Sequence, residues 1–175
     1  MIEVEIRARA SHNEIAKRLE NLHADKIKES HEHDEYFKFG RDEERRLVIR
    51  IREKAGRNIL TFKGSSKLPD DVAWQEWETP AESPVALKRL LLSNGLVPVV
   101  TIDKYRKTYR YEDFEINLDI IAALGEFIEV ELQAEDATLA KERIERFLTE
   151  KLGIASADFV KRGYVPLMIE LQSKL

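Results

Sequence analysis

Ile2-Glu3-Val4-Glu5-Ile6-Arg7 opens the chain, and its reading decides the fold. Apolar and charged residues alternate without a break, and on a β-strand a spacing of two puts side chains on one face. One face is therefore Ile2, Val4 and Ile6, and the other is Glu3, Glu5 and Arg7. The pattern recurs as Arg50 and Arg52, Glu76 and Glu78, Lys104 and Arg106, and Glu129 and Glu131, with Asp119 between Leu118 and Ile120. Each of these later strands carries a block of one charge sign. Like charges side by side repel, so a face that only met water would tend to mix signs. Acid pairs suit a hard cation and basic pairs suit phosphate. A fold that gathers both is built for a metal-bound polyphosphate.

With 175 residues, 43% apolar and 35% charged, the chain is long enough for one domain with a sizeable core and is not composed like a disordered segment. It has no cysteine, which excludes disulfides, thiolate metal sites and cysteine nucleophiles, and which fits a reducing cytoplasm. No run of about 18 apolar residues is present, so no membrane span is expected. The strand pattern starts at once, leaving no room for a signal peptide. Net charge is −4, from 29 basic and 33 acidic residues. A duplex-binding protein would be basic overall, so a local basic field here points to a small anionic ligand rather than nucleic acid.

Along the chain, residues 2–9 read as a strand. Ser11 and Glu14 form a capping-box pattern before Ile15, Leu19 and Leu22, which predicts an amphipathic helix over 12–24. Residues 26–39 end in Tyr36-Phe37-Lys38-Phe39 and read as a strand, with a turn at 40–44. Strands at 46–53 and 58–63 are joined by Lys54-Ala55-Gly56-Arg57, a hairpin signal. A polar loop at 64–71 leads to a strand at 72–79. Ser83-Pro84 starts a second helix and Asn94-Gly95 stops it. Strands at 97–111, 114–121 and 126–133 follow in meander order. A third helix opens at Asp136 or Thr138 and ends at Gly153, and the tail from Phe159 to Leu171 is short and mixed. The tally is about eight strands and three helices, mostly joined to sequence neighbours, which predicts an α+β fold around an eight-stranded antiparallel β-barrel. Three amphipathic helices need an apolar sheet surface to bury against, and the outside of a barrel supplies it. The charged faces then turn inward. Desolvation there costs several kcal/mol per group unless the charges are paired or bind a ligand.

These segments resemble the CYTH superfamily, the triphosphate tunnel metalloenzymes. Glu3-x-Glu5-x-Arg7 resembles its E-x-E-x-K signature, and Asp34-Glu35-Tyr36-Phe37 its D-x-Y-F segment. Leu47 to Arg52 is similar to its paired-arginine strand, Thr61-Phe62-Lys63-Gly64 to its lysine strand, and Lys104-x-Arg106 to its K-x-R strand. Leu118-Asp119, then Leu124 to Glu131, resembles its L-D…L-G-x-F-x-E-x-E block, and Arg162-Gly163-Tyr164 its terminal K-S-Y. The ordered set spans nearly the whole chain, read as a single CYTH-like domain over 1–175. The resemblance implies a tunnel in which Glu3, Glu5, Glu129 and Glu131, assisted by Asp119, hold Mg²⁺ or Mn²⁺. It implies that Arg7, Arg50, Arg52, Lys63, Lys104 and Arg106 grip phosphates, that Glu76 and Glu78 support the metal or orient a basic partner, and that Lys161 or Arg162 closes one end. Catalytic roles then fall to Arg7, Lys63, Glu76 and Glu78. Three positions depart from the pattern: Arg7 replaces lysine, Gly163 replaces serine, and Ala123 stands where glycine is common, the last expected to matter little.

The implied substrate is a small-molecule triphosphate: ATP, tripolyphosphate or thiamine triphosphate. Water as nucleophile gives triphosphate hydrolysis; the 3′-hydroxyl of ATP gives cyclic AMP and pyrophosphate, the class IV adenylyl cyclase reaction. Hydrolysis is the leading reading, cyclisation the alternative, and a non-catalytic polyphosphate or nucleotide sensor a reading of another class. Four metal carboxylates argue against the sensor, because a pure anion binder would gain from losing negative charge. His31 and His33 share one strand side but no third ligand of suitable spacing follows, so they read as surface residues. Trp74 and Trp77 read as packing residues, as do Tyr105, Tyr109 and Tyr111, whose face would also suit a homodimer. Lys67 lies on the 64–71 loop, within reach of a ligand.

Overall fold

Alternation does make a strand of the opening segment: β1 runs Ile2–Arg9. The computed structural model describes residues 2–39, 48–64, 73–74 and 76–174. After β1 come α1 (His12–Asn21), β2 (Asp25–Phe39), β3 (Val48–Lys54), β4 (Arg57–Lys63), β5 (Ala73–Trp74) and β6 (Glu76–Pro80). Then follow α2 (Pro84–Ser93), β7 (Leu96–Tyr111), β8 (Phe114–Ile121), β9 (Gly125–Ala134), α3 (Ala137–Arg146), β10 (Phe159–Val160) and α4 (Tyr164–Gln172). The strands form one antiparallel sheet in the order β10-β1-β9-β8-β7-β2-β3-β4-β6, with β5 paired to β1. The architecture is α+β. The expected eight strands are ten, because the strand expected over 72–79 is divided into β5 and β6 and the tail adds β10.

The apolar strand faces do pack against helices. Val4 and Ile6 of β1, Ile116 and Leu118 of β8, and Ile128 and Val130 of β9 meet Ile15 and Leu19 of α1 and Ile144 of α3 in the largest core. Burying each such side chain stabilises the fold by roughly 1.5–3 kcal/mol. A second core joins Phe37, Ile49, Ile51 and Leu60 to Leu91 of α2. A third lies on the charged face itself: Ile102, Ile121 and Phe127, in line along their strands with Lys104, Asp119 and Glu129, join Tyr164 and Met168 of α4. That last helix is not visible as periodicity. Its sequence, Tyr-Val-Pro-Leu-Met-Ile-Glu-Leu-Gln, is apolar almost all round, and Pro166 is tolerated because it falls in the first turn, where no N–H partner is lost.

Local chemistry differs from expectation in three places. Ser11 caps α1 but makes no side-chain hydrogen bond, so the capping box does not form; the His12 backbone N–H instead donates to Glu126 at 3.0 Å. The third helix leaves α geometry at Phe147 and continues as a π-helical turn over Phe147–Lys151. Ala123 is left-handed, at φ 68°. A Cβ in that conformation costs roughly 1–2 kcal/mol, so the departure from glycine does matter. Elsewhere the reading holds: Ala55 and Gly56 turn the β3–β4 hairpin at φ 50° and 71°, Asp136 caps α3 by accepting from Thr138 and Leu139, and Pro84 opens α2. The expected turn at 40–44, and the loop with Lys67 beyond Gly64, lie outside the described residues.

Relief of the left-handed strain must be set against the roughly 0.5–1 kcal/mol of chain entropy that glycine adds to the unfolded state. The net expectation for Ala123→Gly is a stabilisation of about 0.5–1 kcal/mol in urea unfolding; a destabilised variant would show that the turn is unstrained.

Candidate functional site

Register brings the charged faces together around one cavity of about 1280 Å³. Glu5 pairs across to Glu131 and Arg7 to Glu129, with Asn117 of β8 next to Glu129. On the other side Asp34 of β2 stands opposite Arg52, and Arg50 opposite Thr61, which faces Glu78 of β6. The cavity wall includes Glu3, Glu5, Arg7, Arg50, Arg52, Lys63, Glu76, Glu78, Lys104, Arg106, Glu129 and Glu131, all expected from sequence.

The acid side is tight. Carboxylate oxygens of Glu5, Glu129 and Glu131 lie within 4.8 Å of one another. Arg7 bonds Glu5 and sits 2.5 Å from Glu129. Arg106 reaches Glu129 at 2.7 Å, and Asn117 donates to Glu131 at 3.0 Å while accepting from Thr108 at 2.7 Å. Crowding shows in the protonation. Burial, and then the adjacent Glu129 charge, push the Glu131 carboxyl well above the usual carboxylate range. Burial also disfavours the charged form of Glu129, but Arg7 and Arg106 outweigh it and hold that carboxyl well below the range. Glu3, 3.5 Å from Lys63, is pushed by burial up to about 7, with Glu76 and Glu5 adding to the rise and Lys63 opposing it. A set of crowded oxygen donors fits a hard divalent cation, which would neutralise charge that these groups cannot all carry alone.

The basic side is held by carboxylates. Arg52 makes a forked pair to Asp34 at 2.7 and 2.8 Å and lies 3.1 Å from Glu32. Glu32, fully buried, also bonds Lys54 and lies 3.3 Å from the buried Lys104. Burial, and then repulsion from Arg106 and Arg52, lower the Lys104 ammonium. Arg50 donates to Thr61, Glu76 and Glu78 at 3.0, 3.2 and 3.0 Å, while its Nε is buried without a hydrogen-bond partner among the described residues. Lys63 sits 2.7 Å from Glu76. Glu76 is drawn down to about 2: burial opposes the shift, and Lys63 and then Arg50 overcome it.

Three expected residues are placed elsewhere. Asp119 is fully buried, and both its oxygens are taken by a forked pair to Arg106, with Tyr164 donating its hydroxyl at 3.0 Å. It stands behind Arg106 rather than on the cavity wall. Lys161 and Arg162 are exposed and line no part of the cavity; Arg162 pairs with Glu170 on the outside. Trp77 is 57% exposed and Tyr105 59% exposed, so neither lies in the core, whereas Tyr109 is buried and Tyr111 stacks on Phe147. Four functional neighbours were missed: Glu32, Asp34 as an arginine partner, Asn117 and Tyr164. The parity that places Glu32, Asp34 and Tyr36 on one face was present, but β2 is polar on both faces and parity alone does not say which turns in.

This chain belongs to the CYTH domain family, whose model matches residues 1–164. A protein of Methanocaldococcus jannaschii named putative adenylate cyclase is 28% identical over 172 residues, spanning 95% of this chain and 98% of that one. A solved structure from Pyrococcus horikoshii OT3 superposes with a TM-score of 0.83 at 27% identity, over 97% of this chain and 99% of the other. A Hippeastrum structure, described as a putative adenylyl cyclase with a dominant triphosphatase activity, superposes at 0.68 with 20% identity, over 99% and 96%. Among the described residues no helix is long and apolar enough to cross a membrane.

The Asp34–Arg52 pair sets an acid limit on stability. Burial works to raise the Asp34 carboxyl, but the Arg52 hydrogen bonds and charge win and hold it at about 2, against about 4 in an unfolded chain. The stabilisation is therefore complete above about pH 4 and is lost as pH falls towards 2. Asp34→Asn removes the forked pair and leaves Glu32 as the remaining carboxylate beside the buried Arg52; it is expected to cost about 1.5–3 kcal/mol at neutral pH, with a flatter acid limb. Urea unfolding between pH 7 and pH 2 measures both; an unchanged midpoint would show that the pair is not structural.

Proposed function

We propose that this protein is a divalent-metal-dependent triphosphatase whose substrate lies in a tunnel enclosed by eight strands. The enclosure is supported by pairing: β6 lies on β4 and β5 on β1, and one residue, Gln75, stands between β5 and β6 in the chain. A single ribbon crossing there would join the two ends of the sheet path around the cavity. The observation that carries the function is that a carboxylate cluster and a basic wall share that cavity. Neither sign is in excess enough to be a plain anion or cation trap.

Glu5, Glu129 and Glu131, with Glu3 beside them, would hold Mg²⁺ or Mn²⁺, which would supply charge neutralisation and the activation of water. Arg50, Arg52, Lys63, Lys104 and Arg106 bind the phosphate chain by exchanging present carboxylate partners for phosphate oxygens. Phosphoryl transfer needs this alignment and charge neutralisation more than covalent help. Arg7, between Glu5 and Glu129, stands closest to the cation donors and orients the reacting phosphate. Glu76 and Glu78 keep Lys63 and Arg50 aimed into the cavity, and Asp119 does the same for Arg106. Cyclisation of ATP is the second reading, favoured by the name of the Methanocaldococcus jannaschii relative; hydrolysis is favoured by the activity described for the Hippeastrum protein.

Tripolyphosphate, ATP and thiamine triphosphate, each offered with Mg²⁺ or Mn²⁺, separate the readings by product. Orthophosphate release is expected; cyclic AMP with pyrophosphate would move the assignment to cyclisation, and binding without turnover would make the protein a sensor. Glu131→Gln is expected to lower turnover by about a hundredfold with the melting transition retained. Arg52→Ala is expected to weaken triphosphate binding more than monophosphate binding. Equal losses for the two ligands would remove Arg52 from reading the longer chain.

A further inference from the structure

Asn117 sits in the middle of β8, a position where asparagine is ordinarily depleted because it fits a pleated surface poorly. It is buried, and so is Thr108, its register partner on β7. On its other side Asn117 is the register partner of Glu129, with Glu131 the diagonal neighbour two residues along β9. The two side chains form a directed pair of hydrogen bonds. The Thr108 hydroxyl donates to Asn117 Oδ1 at 2.7 Å, and Asn117 Nδ2 donates to Glu131 Oε1 at 3.0 Å. A hydroxyl that gives its proton to the amide oxygen leaves the amide NH₂ as the end that faces the carboxylate. Reversed, the amide would set one more oxygen against carboxylates already crowded within 4.8 Å of one another.

We infer that Thr108 and Asn117 are positioning residues for the divalent cation, a two-link prop that fixes the Glu131 carboxylate within the donor set. This rests on the reading of Glu5, Glu129 and Glu131 as the cation's donors. The three carboxylates are held differently. Glu5 and Glu129 are met by Arg7 and Arg106, and an arginine orients a carboxylate and neutralises its charge together. Glu131 takes its hydrogen bond from a neutral amide, and Arg106 stands 3.6 Å away, beyond hydrogen-bond distance. A neutral donor orients the carboxylate and leaves its charge for the cation. Removing an outer hydrogen-bond partner of a metal ligand lowers metal affinity by about 10–100-fold. The fold itself has little need of the pair, because replacing both members of a buried hydrogen bond by apolar groups of the same shape is close to neutral for stability. The polar pair is therefore explained by Glu131 rather than by packing.

Mn²⁺ is titrated into the full chain without substrate, and free Mn²⁺ is read by electron paramagnetic resonance. Thr108→Val, which keeps the shape and removes the hydroxyl, is expected to weaken Mn²⁺ binding by about tenfold. Thr108→Ser keeps the hydroxyl and is expected to bind as the unsubstituted chain does. Thr108→Val combined with Asn117→Leu is expected to be no weaker than Asn117→Leu alone, since links of one hydrogen-bonded chain do not add. A merely structural role would move the urea midpoint of Thr108→Val and leave its Mn²⁺ affinity unchanged. That unchanged affinity, no recovery in Thr108→Ser, or additive losses in the double variant would each overturn the prop while leaving the cation site in place. An unsubstituted chain that binds no Mn²⁺ would overturn the metal reading itself, and the prop with it. Should Asn117→Leu fail to fold, the comparison of Thr108→Val with Thr108→Ser carries the test.

Discussion

Everything in this molecule follows from placing ionised groups of both signs on the walls of one cavity. Moving one such ion out of water costs several kcal/mol even after the protein relaxes. Arg50, Arg52, Lys104, Arg106, Glu5, Glu129, Glu32 and Asp34 are all buried. The sum of those penalties exceeds the net stability of a chain this size, roughly 5–15 kcal/mol. The fold is therefore possible only because each charge meets its opposite across a strand. Arg52 on Asp34, Arg106 on Asp119 and Lys63 on Glu76 are cross-strand partners or near neighbours set by register. A one-residue slip of any strand would reverse its faces, exposing valines and isoleucines and burying unpaired ions.

The same pairing prepares the site for a ligand. A buried guanidinium already aimed by a carboxylate loses little side-chain freedom when phosphate arrives. Asp119 illustrates the division of labour. Its two oxygens are taken by Arg106 and Tyr164, so it anchors the arginine that reaches Glu129. Glu131 is the opposite case: raised by burial and by Glu129, it is the group whose charge is least satisfied by the protein alone.

Strand parity made the charged cavity wall legible. Wherever one face of a strand is apolar, as with Ile2, Val4 and Ile6 opposite Glu3, Glu5 and Arg7, the charged face turns away from the helices that cover the apolar one, α1, α2 and α3. β2 has no such face over residues 28–35, so Glu32 and Asp34 were indistinguishable from His31 and His33 until the neighbouring strands were in place. Lys161 and Arg162 were tied to the cavity by a motif at the chain's end. Motif order does not say where a side chain leaves the backbone, and here both residues follow the end of β10 and are exposed. Helix α4 was hidden for a different reason: it is apolar almost all round although only Tyr164 and Met168 are buried, so no polar stripe marks its period. Ala123 and the π-turn at Phe147 lie below the resolution of any pattern argument, because a single left-handed residue and one widened helical turn leave the apolar spacing around them unchanged.

Arg7 ties these strands of argument together. Its guanidinium bonds Glu5, approaches Glu129 at 2.5 Å, and lies 4.9 Å from the centre of the Tyr164 ring. A lysine ammonium is one compact charge; the fork of an arginine reaches two carboxylates at once and stacks on an aromatic plane. The first residue of α4 is thus held from below by the same cation that neutralises the acid cluster, while its hydroxyl is held by Asp119. A change of charge at Glu5 or Glu129 alters what Arg7 must balance. Arginine at this position touches both the acid cluster and the first residue of α4, two contacts that a point charge on a flexible stem has no planar fork to make together.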